Sequence, residues 1–131
     1  MSAFFDTNII VYGFGKGPKR DVARLCMADG GVISAQVLNE FTNVSRRKYQ
    51  KPWAEIENAI GVLTNHFDAV LPLTIETHQT ALALARDHNF AFYDALIVAS
   101  ALEAGCETLF SEDLQDGRAI GGLRIVNPFA R

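Results

Sequence analysis

Short apolar runs alternate with amphipathic helical stretches along all 131 residues, and that alternation leaves few folds open. Ala3-Phe4-Phe5, Val32-Ile33, Ala69-Val70-Leu71, Thr108-Leu109-Phe110 and Leu123-Arg124-Ile125-Val126 are too short for helices and read as five strands. A short helix follows the polar turn Asp6-Thr7-Asn8 and carries Ile9-Ile10-Val11-Tyr12. Gly13, Gly15 and Gly17 ahead of Pro18 mark a flexible connection, without the spacing of a dinucleotide-binding fingerprint. A second helix runs from about Lys19 to Ala28 and stops at Gly30-Gly31. Ser34 is placed as N-cap for a helix holding Val37, Leu38, Phe41 and Val44. Pro52 opens the next, with Trp53, Ile56, Ile60, Leu63 and Phe67 along one stripe. Thr74 caps a helix through Leu82 and Ala85, and Asp94 begins a buried helix terminated by Gly105. Strands alternating with helices imply βαβ units. The expected fold is a three-layer α/β/α sandwich with a central, mainly parallel five-stranded sheet, one domain spanning 1–131.

Composition excludes several classes. Hydrophobic residues make up 49% and charged residues 21%, which is enough to build a core and argues against disorder. No apolar run reaches the length of a membrane span. The opening Ser2-Ala3-Phe4-Phe5-Asp6 lacks the basic flank of a signal peptide, so the expected location is the cytoplasm. Cys26 and Cys106 fit no zinc motif and are expected as unpaired thiols. His66, His78 and His88 have no partner at ligand spacing. The net charge of −3 does not announce a nucleic-acid binder. Acids gathered around cations would reverse the field a phosphate meets, so net charge does not decide the matter.

The acids fall where chemistry can use them. Ligands of open parallel sheets bind beyond the carboxyl ends of the strands. Asp6 directly follows the first strand, and Asp113 lies three residues past Phe110; if those strands are neighbours, both overlook one crevice. Asp94 precedes Ala95-Leu96-Ile97-Val98-Ala99, a position equally suited to an N-cap. Glu40 lies nearly two turns into its helix, with Gln36 four residues earlier, where a solvated surface Glu is the plain alternative. Four converging carboxylates would repel one another and raise their pKa values. A hard divalent cation relieves that repulsion and activates water for attack on a phosphodiester.

Asp6-Thr7-Asn8 after a strand, mid-helix Glu40, Tyr93-Asp94-Ala95-Leu96-Ile97-Val98-Ala99 and Ser111-Glu112-Asp113-Leu114-Gln115-Asp116-Gly117 together resemble the PIN domain, most closely the VapC-type toxins of prokaryotic toxin–antitoxin systems. The resemblance covers essentially the whole chain. It implies adjacent first and fourth strands, an Mg²⁺- or Mn²⁺-dependent endoribonuclease cutting RNA, a homodimer, and neutralisation by a protein antitoxin. Asp6, Glu40, Asp94 and Asp113 match the metal-holding acidic quartet. Thr7, Asn8 and Ser111 would orient those carboxylates or water. Asp116 is a further candidate metal ligand, equally readable as a turn residue before Gly117. Ser111 stands where many relatives carry Thr and keeps the hydroxyl.

Arg46, Arg47 and Lys48 follow Glu40 and are candidates for RNA contact, although a solvated face is the usual meaning of such a run. Lys16, Lys19 and Arg20 form a weaker patch near the Asp6 turn. The Trp53 stripe suits packing, and in the family such helices help hold an antitoxin segment. Three other accounts compete. An Asp-dependent phosphatase would need a second Asp where Asn8 stands. A receiver-type module would pair its acids near the N-terminus. A catalytically silent PIN-like domain would bind RNA or protein without cutting.

Overall fold

The computed structural model describes residues 2–130; Met1 and Arg131, the two ends of the expected domain, lie outside the described residues. The strands are β1 (Ala3–Phe5), β2 (Val32–Ser34), β3 (Ala69–Leu71), β4 (Thr108–Phe110), β5 (Ala119–Ile120) and β6 (Leu123–Val126). They form one sheet in the order β3-β2-β1-β4-β6-β5. Every pair is parallel except β5 with β6. The sheet therefore has six strands rather than the expected five. The added strand is only two residues, Ala119 and Ile120, folded back on Leu123 and Arg124, and too short to show an alternating pattern.

Among the described residues six helices connect the strands: α1 (Thr7–Gly13), α2 (Pro18–Met27), α3 (Ala35–Arg47), α4 (Trp53–His66), α5 (Ile75–His88) and α6 (Phe92–Glu103). Among the described residues, no helix is long and apolar enough to cross a membrane. Several helix starts have local causes. The Ser34 hydroxyl accepts the Val37 N–H at 3.4 Å, and Thr74 with Thr77 forms a reciprocal capping box. Asp94 corrects one expectation. The N-cap of α6 is Ala91, and Asp94 is the third residue of the helix, so its carboxylate is not used as a cap.

Gly13 corrects another. It ends α1 instead of belonging to a loose loop, and a Cβ there would lie 2.5 Å from the Met27 methyl, so its absence lets α1 and α2 close on each other. Gly31, with φ +129°, leads into β2 where a Cβ would lie 2.6 Å from the Ala3 carbonyl oxygen.

Phe4, Phe5, Ile33, Leu109 and Ile125 form the fully buried centre of the sheet. Helix α6 is buried from Ala95 through Ala101 with no polar stripe, as expected of a helix enclosed on all sides. Ile97 and Val98 are each removed from water almost completely, a gain of roughly 2 kcal/mol apiece.

The topology also decides where a site can form. From β1 the chain builds outward through β2 to β3, then crosses back to set β4 on the other side of β1. The order reverses between β1 and β4, and a crevice opens beyond their carboxyl ends. The Asp6 N–H donates to the Phe110 carbonyl at 2.9 Å, joining the two strand ends there.

Candidate active site

Asp6 is the first residue beyond β1 and the N-cap of α1. One carboxylate oxygen accepts the Thr7 N–H at 2.7 Å, and the other accepts the Ser111 hydroxyl at 2.7 Å. Ser111 is the matching residue beyond β4 and is fully buried. Its oxygen also accepts the N–H groups of Asp113 and Leu114, each at 3.2 Å, so one hydroxyl ties Asp6 to the loop bearing Asp113.

The other acids are oriented from α1 and α3. The Thr7 hydroxyl donates to Glu40 at 2.6 Å, and the Gln36 amide, one turn back on α3, holds the second Glu40 oxygen at 2.9 Å. The Asn8 amide donates to Asp113 at 3.0 Å, and its carbonyl accepts the Glu112 N–H at 3.2 Å. Glu40 is partly buried, not the fully solvated residue of the plain alternative. Asp94 reaches the same place from the first turn of α6.

Asp6, Glu40, Asp94 and Asp113 all line one cleft of about 450 Å³, and Lys48 is the single cation on its wall among the described residues. Burial pushes the Asp6 carboxyl up to about 6. Its bonds to Ser111 and Thr7 pull against that shift, and the nearby charges of Glu40 and Asp94 add to it. Burial also raises the Asp94 pKa, with Glu40 and Asp113 contributing repulsion. Such a cluster is uncompensated by the protein itself.

The donors are oxygen throughout, which suits a hard cation and not zinc. Among the described residues, no three Asp, Glu, His or Cys side chains come together closely enough to hold a metal ion as they stand. An ion held here would fill its remaining positions with water, which is the habit of magnesium.

The remaining candidates separate. Lys48 lines the cleft. Arg46 instead lies 4.6 Å over the Trp53 ring and donates to the Lys51 carbonyl at 3.0 Å. Arg47 is exposed and is not among the residues lining the cleft. Asp116 is also outside it; exposed, it accepts the Asn127 N–H at 2.8 Å, a turn contact.

Sequence reasoning missed a clasp at the rim. Glu112 accepts hydrogen bonds from the Tyr12 hydroxyl and the Lys19 ammonium. Lys19 also lies 4.8 Å over the Tyr12 ring, so it does not belong to a free basic patch. No local pattern signals this group, since Glu112 is 100 residues from Tyr12 and 93 from Lys19.

The PIN-domain profile matches residues 3–116. The chain belongs to the PIN-domain family. Solved structures agree on the fold. A toxin–antitoxin complex from Klebsiella pneumoniae has a chain 24% identical, with a TM-score of 0.75 and 98% of both chains covered. VapBC2 of Rickettsia felis, bound to a DNA fragment from its promoter, gives 19% identity and a TM-score of 0.70 over 95% of this chain and 97% of that one. VapC20 of Mycobacterium tuberculosis, described as a sarcin-ricin loop cleaving toxin, gives 21% and 0.69 over 82% and 87%. No curated protein matches the sequence. The PIN fold shared with these proteins has adjacent first and fourth strands here, the arrangement the crevice requires.

Proposed function

We infer that this PIN domain is a metal-dependent endoribonuclease hydrolysing RNA phosphodiester bonds, and that it serves as the toxin of a type II toxin–antitoxin pair. The observation that carries the reading is the shared cleft of Asp6, Glu40, Asp94 and Asp113, four carboxylates against one lysine. The fold-level likeness to a loop-cleaving toxin and to two toxin–antitoxin assemblies supports RNA as substrate and a protein antitoxin as partner. A homodimer, as in the resemblance, is part of the same proposal.

Asp6, Glu40, Asp94 and Asp113 would hold Mg²⁺ or Mn²⁺ in this reading. When bound, such an ion neutralises phosphate charge and lowers the pKa of water. Ser111 fixes Asp6, Thr7 fixes Glu40, and Asn8 fixes Asp113, so three polar side chains set the directions of three carboxylates. Lys48 offers the entering phosphate its nearby positive charge. Asp6, with its pKa near 6, must release its proton before it can bind a cation well.

An Asp-dependent phosphatase fits less well. Both oxygens of Asp6 accept hydrogen bonds, and the residue is only 5% exposed, poor conditions for a nucleophile.

The test is incubation of labelled structured and single-stranded RNAs with Mg²⁺, Mn²⁺ or EDTA, beside Asp6→Asn and Asp94→Asn. Metal-dependent cleavage lost in both variants is expected. Equal activity in EDTA, or in both variants, sinks the mechanism. Folded, metal-binding protein that cuts no RNA points to the silent binding domain.

A further inference from the structure

Three of the four cleft acids have their carboxylates directed by side-chain donors: Asp6 by Ser111, Glu40 by Thr7 and Gln36, Asp113 by Asn8. Among the described residues, Asp94 has no such donor, so its place in the cleft depends on where the first turn of α6 lies. That turn is not held by a side-chain cap either, since its N-cap is Ala91. The connection ahead of it is gripped from across the molecule. The Arg118 guanidinium donates to the His88 carbonyl at 2.6 Å and lies 4.2 Å over the Phe90 ring. Arg118 itself stands at the end of the loop that carries Asp113. Its N–H donates to the Gln115 carbonyl at 3.2 Å, and its own carbonyl accepts the Ile125 N–H at 2.9 Å. We infer that Arg118 is a positioning residue, which sets Asp94 against Asp113 by fastening the α5–α6 connection to the β4–β5 loop. The inference rests on the cleft being a metal-holding site and names what places its fourth carboxylate.

The chemistry of the connection calls for such a group. The last carbonyls of a helix lack partners within it, and a cation suits that end of the helix dipole. His88 is the last residue of α5, and Asn89 follows in the left-handed region at φ 60°, so the chain turns out of the helix there. Arg118 holds the connection on both sides of that turn, at His88 and at Phe90. A planar guanidinium can stack on a ring and still donate from its edge, which an ammonium cannot reproduce. Helix α6 is enclosed from Ala95 through Ala101, whereas Tyr93 is 65% exposed. The first turn is therefore the least confined part of α6, and it is the part that carries the acid. A hard cation with short, directional oxygen contacts is sensitive to small shifts of one ligand.

The experiment titrates metal-free protein with Mn²⁺ alone by calorimetry, using the parent, Arg118→Ala, Phe90→Leu and Phe90→Tyr, each with and without Asp94→Asn. Arg118→Ala and Phe90→Leu are expected to weaken Mn²⁺ binding about tenfold, while Phe90→Tyr keeps the ring and binds as the parent does. With Asp94→Asn present, Arg118→Ala should cause no further loss, because the carboxylate it positions is already gone. Hydrogen exchange of the metal-free proteins decides the matter where Asp94→Asn binds Mn²⁺ too weakly to compare. The Ala95 N–H, bonded to the Ala91 carbonyl at 2.9 Å, should exchange about tenfold faster in Arg118→Ala. The distant Asp68 N–H, bonded to the Gly31 carbonyl at 2.8 Å, should exchange as before. Equal losses with and without Asp94→Asn, or equal acceleration of both amides, would mean a general loss of stability and overturn the proposal. Unchanged Mn²⁺ affinity in both Arg118→Ala and Phe90→Leu also overturns it, while metal-dependent RNA cleavage by the parent leaves the ribonuclease reading standing. A parent that binds no Mn²⁺ removes that reading and the proposal together.

Discussion

Glu112 and Asp113 are adjacent in sequence and opposite in circumstance. Glu112 is met by Lys19 and Tyr12, and Lys19 first, then Tyr12, holds its carboxyl below the usual range. Asp113 faces the cleft, where Asn8 is its side-chain donor and three other carboxylates stand against the one cation Lys48. The clasp behaves as an ordinary stabilising contact. The cleft does the reverse, since Asp6 is pushed up to about 6 and Asp94 is raised as well. Carboxylates matched inside the protein stabilise the fold, whereas those left unmatched keep their charge for a ligand.

The largest expected break in this contrast is catalytic. Asp6→Asn or Asp94→Asn should lower metal-dependent RNA cleavage by about a thousandfold, the equivalent of several kcal/mol of lost electrostatic stabilisation. Single-turnover assays at saturating Mg²⁺ would show it, and near-normal rates would remove these acids from the reaction.

Stability should move the other way. The Asp6 carboxyl titrates near 6 in the fold against about 3.8 unfolded, so folding favours its protonated form. Its contribution is complete below about pH 4 and is lost as pH rises through 6, a swing on the order of 3 kcal/mol. Metal-free protein should therefore lose stability across that window in urea unfolding. Asp6→Asn should flatten the slope, and Mg²⁺ should restore stability above pH 6 because it binds the ionised form. A pH-independent unfolding free energy would refute the claim that the cleft is electrostatically strained.

Glu112→Gln tests the other half of the comparison. Loss of its charged acceptor role should cost on the order of 1 kcal/mol in unfolding. Cleavage should fall about tenfold through loosening of the Asp113 loop, with no gain in metal-free stability at neutral pH. A gain would place Glu112 with the cleft acids.

Asp116→Asn should have the smallest effect. Its carboxylate caps the exposed Asn127 N–H, so a stability loss under about 1 kcal/mol and a rate within about twofold are expected. A large rate loss would bring Asp116 into the site.

Much of the architecture was readable locally. The five longer strands, the Ser34 and Thr74 caps and the enclosed helix α6 all follow from patterns within a few residues. Ala119-Ile120 was not readable, because two residues carry no period and β6 is needed to make them a strand. The start of α6 was read at Asp94 instead of Phe92, because an Asp before an apolar run looks the same one turn earlier or later. Arg46 and Lys48, two positions apart, could not be separated until α4 supplied Trp53 to stack with one of them.

Burial was legible for the strands and α6 but not for Trp53, Leu25 or Leu82, which stand exposed. The sequence by itself determined where most helices begin and that acids stand beyond the ends of two strands. Those are matters of periodicity and short-range hydrogen bonding. Only the tertiary structure decided which charges meet. Pairing of β1 with β4 joins Asp6 to Ser111 across 105 residues, and the same closure gives Glu112 a cation while it leaves Asp113 among other acids. Electrostatic partnership depends on distances of a few ångströms through space, and residues far apart along the chain acquire those distances only when the sheet closes.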